Sequence, residues 1–155
     1  MTATDTLTVT TPSDREIVLT RVFNAPRHLV FDAYTRPELV QRWLGPAGMS
    51  VCEIDLRVGG AWRFVLHIPG RKDMGMRGVY REIVPSERLV STEVFDDYPG
   101  EALVNTVLVE DGGRTTLTST VRYDSQAIRD AVANSGMARG AGESYDRLAE
   151  LLRSL

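Results

Sequence analysis

From Glu16 to Phe23 the chain alternates, with Ile17, Leu19, Arg21 and Phe23 on one side and Val18, Thr20 and Val22 on the other. Period two in a β-branched run predicts a strand with both faces at least partly covered. The period then changes. Asn24 stands as a cap, Pro26 sits in a first turn, and Leu29, Val30, Ala33 and Tyr34 recur at helical spacing. This helix must stop near Arg36, because the residue before a proline leaves the helical region. Thr35 and Glu38 have capping-box spacing around Pro37, and Leu39 and Trp43 follow four apart, so a second short helix runs to Gly45 and Pro46.

Period two then returns six times, in "MSVCEIDL", "AWRFVLHI", "MRGVYREIV", "RLVSTEVF", "ALVNTVLVE" and "TTLTSTVRY". The separators "RVGG", "PGRKD", "PSE", "DDYPG" and "DGG" are short and turn-rich, which predicts antiparallel neighbours joined by hairpins. "SQAIRDAVANSG" reads as a short helix or turn, and "SGMARGAGESYDRLAELL" as the final helix. The order is strand, two helices, six strands, helix. That is an α+β pattern, one curved antiparallel sheet with helices on one side.

The final helix has an uneven buried stripe. Met137, Ala141, Ser144, Tyr145, Leu148, Leu151, Leu152 and Leu155 fall on one face, large at the C-terminal end and small at the N-terminal end. Each glycine inside a helix costs about 1 kcal/mol relative to alanine. Close packing leaves two readings of the thin half. Either Gly140 and Gly142 let the helix press on a neighbour, or a cavity lies between this half and the sheet, edged by Met137, Ala141 and Tyr145.

Composition narrows the field. With 155 residues, 43% hydrophobic and 25% charged, the chain suits one domain, residues 15–155, behind a flexible lead-in, residues 1–14. Within the lead-in, "LTVT" is alternatively an added edge strand. A net charge of -3 offers no basic face for nucleic acid. The start lacks a signal peptide's basic and apolar regions, and no apolar run is long enough to span a membrane, so a soluble, cytoplasmic protein is expected. The lone Cys52 fits a reducing compartment, and no Cys/His cluster suggests a metal or other cofactor.

Candidate chemistry is sparse. Trp62, Phe64, Leu66 and Ile68 share one strand face, the better candidate for the concave side. Trp43 either anchors the core or covers one end of a cavity. Met74 and Met76 suit a pocket lining or plain core filling. His67 falls on the mixed face of its strand and His28 on the exposed side of its helix. Glu53 and Asp55 share a strand face, as an acid–base pair or as a solvated pair opposite Arg63. Arg77, Tyr80 and Glu82 are candidates for polar ligand contact, Tyr80 and Glu82 on one face with Gly78. No nucleophile elbow, phosphate loop or Ser-His-Asp order is present, so no catalytic set is assigned.

Four stretches, "RVFNAPRHLVFDAYTRPELVQRWLGPAG", "DLRVGGAWRF", "RGVYREIVPSERLV" and "SGMARGAGESYDRLAELL", resemble in order the bacterial single-domain relatives of the C-terminal domain of the activator of heat-shock protein 90 ATPase, in the START-like (SRPBCC) superfamily. The resemblance implies a helix-grip fold: a curved antiparallel sheet of about seven strands around a long C-terminal helix, with an apolar cavity between them. It implies binding of lipids, polyketides or aromatic compounds, and in some members cyclisation, hydration or ring hydroxylation. Similar proteins have a second tryptophan where this chain has Leu44, a tryptophan at Ala141 and a leucine at Tyr145. Loss of an indole at Ala141 implies a wider or relocated pocket, partly refilled by Tyr145.

Binding of a small hydrophobic or aromatic ligand, lipid-like or polyketide-like, is therefore the first expectation. Its site would draw on Trp43, Trp62, Phe64, Leu66, Met76, Tyr80, Met137, Ala141 and Tyr145. A cyclase, hydratase or hydrolase in the same cavity is the alternative, and a chaperone cofactor or interaction protein the third. The chain is expected to be a monomer or homodimer.

Overall fold

The computed structural model describes residues 7–45 and 47–155. Among these, eight strands and four helices follow in the order β1 Thr8–Thr10, β2 Glu16–Phe23, α1 Arg27–Thr35, α2 Pro37–Trp43, β3 Met49–Ile54, β4 Ala61–Leu66, β5 Met74–Val84, β6 Arg88–Phe95, β7 Ala102–Asp111, β8 Arg114–Arg122, α3 Gln126–Ala133 and α4 Met137–Arg153. The strands form one antiparallel sheet ordered β1-β2-β8-β7-β6-β5-β4-β3. This is the helix-grip arrangement with eight strands where about seven were expected. The extra strand is "LTVT": Thr8, Val9 and Thr10 pair with Thr20, Leu19 and Val18. Backbone hydrogen bonding to β2 thus orders part of the expected lead-in as an edge strand, while residues 1–6 lie outside the described residues.

Alternation places Ile17, Leu19, Arg21 and Phe23 of β2 inward, opposite the inward Val121, Ser119, Leu117 and Thr115 of β8. Trp62, Phe64 and Leu66 of β4 also face inward and are buried. The helix caps differ from the sequence reading. Asn24 does not cap α1; Pro26 does, and the Arg27 N–H donates to the Glu110 carboxylate at 2.7 Å. Nor do Thr35 and Glu38 form a capping box, since the Thr35 hydroxyl donates back to the Phe31 carbonyl at 2.8 Å. In both places a partner in the folded chain outcompetes the local cap. Pro46, expected to end α2, lies outside the described residues.

α4 is held by its second half. Leu148, Leu151 and Leu152 are buried with Tyr145, Arg147 Nε donates to the Trp43 carbonyl at 3.0 Å, and the buried Arg21 pairs with Asp146 at 2.7 Å. The first half, from Met137 to Ser144, contributes no buried residue. A Cβ at Gly140 would meet nothing within 4 Å, and one at Gly142 only Leu7 at 4.0 Å. These glycines do not bring the helix against a strand of this chain: the space around them within it is open.

Candidate functional site

Two apolar clusters fill the inner side of the sheet. One gathers Ile17, Phe23, Leu117 and Leu148 with Trp43 and Tyr145, and Met137 and Ala141 lie half-buried against it. The other gathers Val40, Trp62, Phe64, Leu66, Met76 and Tyr80. The nine residues expected at the site are thus divided between two clusters, touched in common by Leu44, Ile83 and Leu89. Between the clusters runs β6, fifth of eight strands in the sheet. Its inward residues Leu89, Ser91, Glu93 and Phe95 are all only half-buried. Interiors are close-packed, so surface left open on a central strand marks a seam that the two clusters do not fill.

Glu93 stands in that seam. The registers set it between Ala102 of β7 and Gly78 of β5, and Gly78 in turn faces Trp62 of β4. Gly78 is required here, since a Cβ would stand 1.9 Å from the Thr92 carbonyl oxygen and 2.5 Å from Trp62 Nε1. Its absence lets the indole lie over the strand beside Glu93. Neither the Glu93 oxygens nor Trp62 Nε1 make a hydrogen bond or ion pair among the described residues.

Tyrosines approach from the helical side. Tyr34 of α1 donates to the Tyr145 hydroxyl of α4 at 3.0 Å. The Tyr145 ring stacks on Trp43 with centroids 6.1 Å apart, and Trp43 meets Tyr34 at 5.0 Å. Trp43 Nε1 is satisfied by the Ala33 carbonyl at 2.8 Å. Burial pushes the Glu93 carboxyl from 4.5 up to about 7. Burial also raises Tyr34, Tyr145 and Tyr123, and the Glu93 charge adds to the rise in all three. The seam therefore holds one unpaired carboxyl, hydroxyls that stay protonated, an indole N–H and aromatic faces. Such a set can exchange a proton or hold a polar group in an apolar setting.

The other candidates lie elsewhere. His67 Nδ1 meets Asp73 at 2.9 Å and His28 is exposed. Glu53 pairs in register with Arg63, whose guanidinium binds Asp96, and Asp55 bonds Arg57 on the surface. Tyr80 is buried, but a bulge between Tyr80 and Glu82 parts the two, and Glu82 turns out to Arg88 at 3.6 Å. Arg77 joins Arg63 on Asp96 outside. A groove of about 480 Å³ is lined in part by Arg81, Thr92 and Arg122 together with Ala102 and Tyr123; none of the nine expected site residues lines it.

Glu93 escaped the sequence reading for a specific reason. In "RLVSTEVF" the β-branched set is Val90, Thr92 and Val94, which by composition belongs inside, and Glu93 falls on the opposite face. The one available signal was a lone carboxylate in mid-strand with no cation two residues away.

With this geometry in view, the chain matches the profile described as "Activator of Hsp90 ATPase homolog 1-like protein" over residues 24–153. The chain belongs to that family. The crystal structure of a Rhodobacter sphaeroides protein is similar to this Activator of Hsp90 ATPase homolog 1-like protein at 31% identity and a TM-score of 0.92, covering 97% of this chain and 100% of the other. A Chromobacterium violaceum protein follows at 30% identity and a TM-score of 0.79, covering 90% and 98%. CalU16 from Micromonospora echinospora shares the fold at 23% identity and a TM-score of 0.64, covering 94% and 83%. No curated protein matches. Members of the superfamily commonly bind hydrophobic ligands. Among the described residues no helix is long and apolar enough to cross a membrane.

Proposed function

We propose that this domain binds a small, largely apolar or aromatic molecule between the inward face of β6 and the first half of α4. The observation that carries the reading is the half-buried inward face of a central strand, lying between two packed clusters. The void beside Tyr34 and Leu89 is about 10 Å³, room for one water at most. Entry therefore needs the elements that line it, α1, β6 and β7, to part. Native mass spectrometry and thermal shift against lipid, flavonoid and polyketide sets test this; a protein that none of them shifts or adds mass to would refute it.

Glu93 favours a second reading, acid–base catalysis of the cyclase, hydratase or hydrolase kind in the same space. A carboxyl poised at about 7 serves as donor or acceptor at neutral pH. Turnover abolished by Glu93→Gln with ligand binding retained would support it.

A further inference from the structure

We infer that the molecule held in the seam is an amine, an apolar or aromatic body with a protonated nitrogen that meets the inward carboxylate of Glu93 among the rings of Tyr34, Tyr145 and Trp62. The inference rests on the binding reading above and names the charge of the ligand. An ionised carboxylate in an apolar setting is costly unless it is paired. Other carboxylates have close cationic partners: Asp96 with Arg63 and Arg77, Asp97 with Lys72 and Glu82 with Arg88 at the surface, and Asp146 and Asp130 with the buried Arg21 and Arg129. Glu93 has none among the described residues.

Nor does the fold hold a cation in reserve for it. The buried inward cation Arg21 is engaged by Asp146 and stands in register with Leu117, six residues along the chain from Tyr123, which follows β8 beside the Glu93 row. At about 3.3 Å per residue that is about 20 Å along the strand. Around Glu93 the fold supplies instead aromatic faces and hydroxyls. A carboxylate with aromatic rings is the combination that recognises an ammonium group, through a charge-assisted hydrogen bond and cation–π attraction. A ligand ending in carboxylate or phosphate would meet like charge at Glu93.

The groups facing Glu93 do not titrate near neutrality. From α1, α4 and the segment just after β8 they are Tyr34, Tyr145 and Tyr123, all raised, and β7, β5 and β4 contribute Ala102, Gly78 and Trp62. Amine affinity should therefore follow Glu93 alone between pH 6 and 8, rising with pH as the carboxyl gives up its proton while the ligand stays charged.

Three probes sharing one apolar body decide the matter: 4-phenylbutylamine, 4-phenylbutanol and 4-phenylbutanoate, titrated calorimetrically into the full chain and its Glu93→Gln variant. At pH 8 the amine is expected to bind at least about tenfold tighter than the alcohol, equivalent to about 1.4 kcal/mol, with the carboxylate weakest. In the variant amine and alcohol converge, and the fall in amine affinity between pH 8 and 6 disappears. Alcohol or carboxylate binding as tightly as the amine, or a variant that keeps the amine preference, overturns the inference and leaves the binding reading standing. If none of the three binds, the amine inference is overturned, and the lipid, flavonoid and polyketide screen decides the binding reading separately.

Discussion

Replacing Glu93 by glutamine keeps the shape of the side chain and removes the one group that ionises in the seam. Moving a carboxyl from 4.5 to about 7 by burial corresponds to about 3 kcal/mol of disfavoured ionisation. The sign follows from linkage. Below pH 4.5 both folded and unfolded chains hold the proton and nothing is lost. Between 4.5 and 7 the unfolded chain releases it first, and stability falls. Above 7 the full penalty is in place, so Glu93→Gln should be more stable than the parent by up to about 3 kcal/mol at pH 8, and by almost nothing at pH 4. For a chain of this size that is about 6–12 °C in Tm. Paired calorimetric melts of parent and variant across pH 4–8 measure the difference, with acid effects common to both cancelling. A variant no more stable at pH 8, or equally stabilised at both ends of the range, would show that Glu93 is solvated and that the seam is not the apolar space described.

Gly78→Ala should cost about 3 kcal/mol in urea denaturation, because its methyl would collide with the Thr92 carbonyl and the Trp62 indole. Gly140→Ala, open on all sides, should instead stabilise by about 0.5–1 kcal/mol and slow the exchange of α4 amide hydrogens. Ala141→Trp should lower ligand affinity at least tenfold, read by the same calorimetric titrations, with the far-ultraviolet circular dichroism unchanged, by filling space beside the thin half of α4. Asp146→Ala should cost about 1–2 kcal/mol at pH 7 by chemical denaturation, since it strips the partner from a buried Arg21 whose Nε already lacks one.

The strands were legible because period two in β-branched segments, closed by short turns, allows few alternatives. β2 and the six strands from β3 to β8 lie where the alternation predicts, within about two residues at each end. Capping was less legible, because Glu110, distant in sequence, satisfies the start of α1 better than Asn24 does. The site was legible only in part. Trp43, Trp62, Tyr80 and Tyr145 announced themselves as large side chains in patterned segments. Glu93 did not, because the inward face of β6 is its more polar one.

What the amino-acid order settled by itself was the set of elements, their sequence along the chain and the uneven stripe of α4, since each follows from spacing between near neighbours. Tertiary structure alone decided which face of β6 looks inward, through registers running from β4 to β8. It also decided that the glycines of α4 stand in open space rather than against a strand, and that the Glu93 carboxylate acts on tyrosines of α1, α4 and the segment after β8. Those outcomes depend on contacts between residues as far apart as Tyr34 and Tyr145, and local periodicity carries no record of such distances.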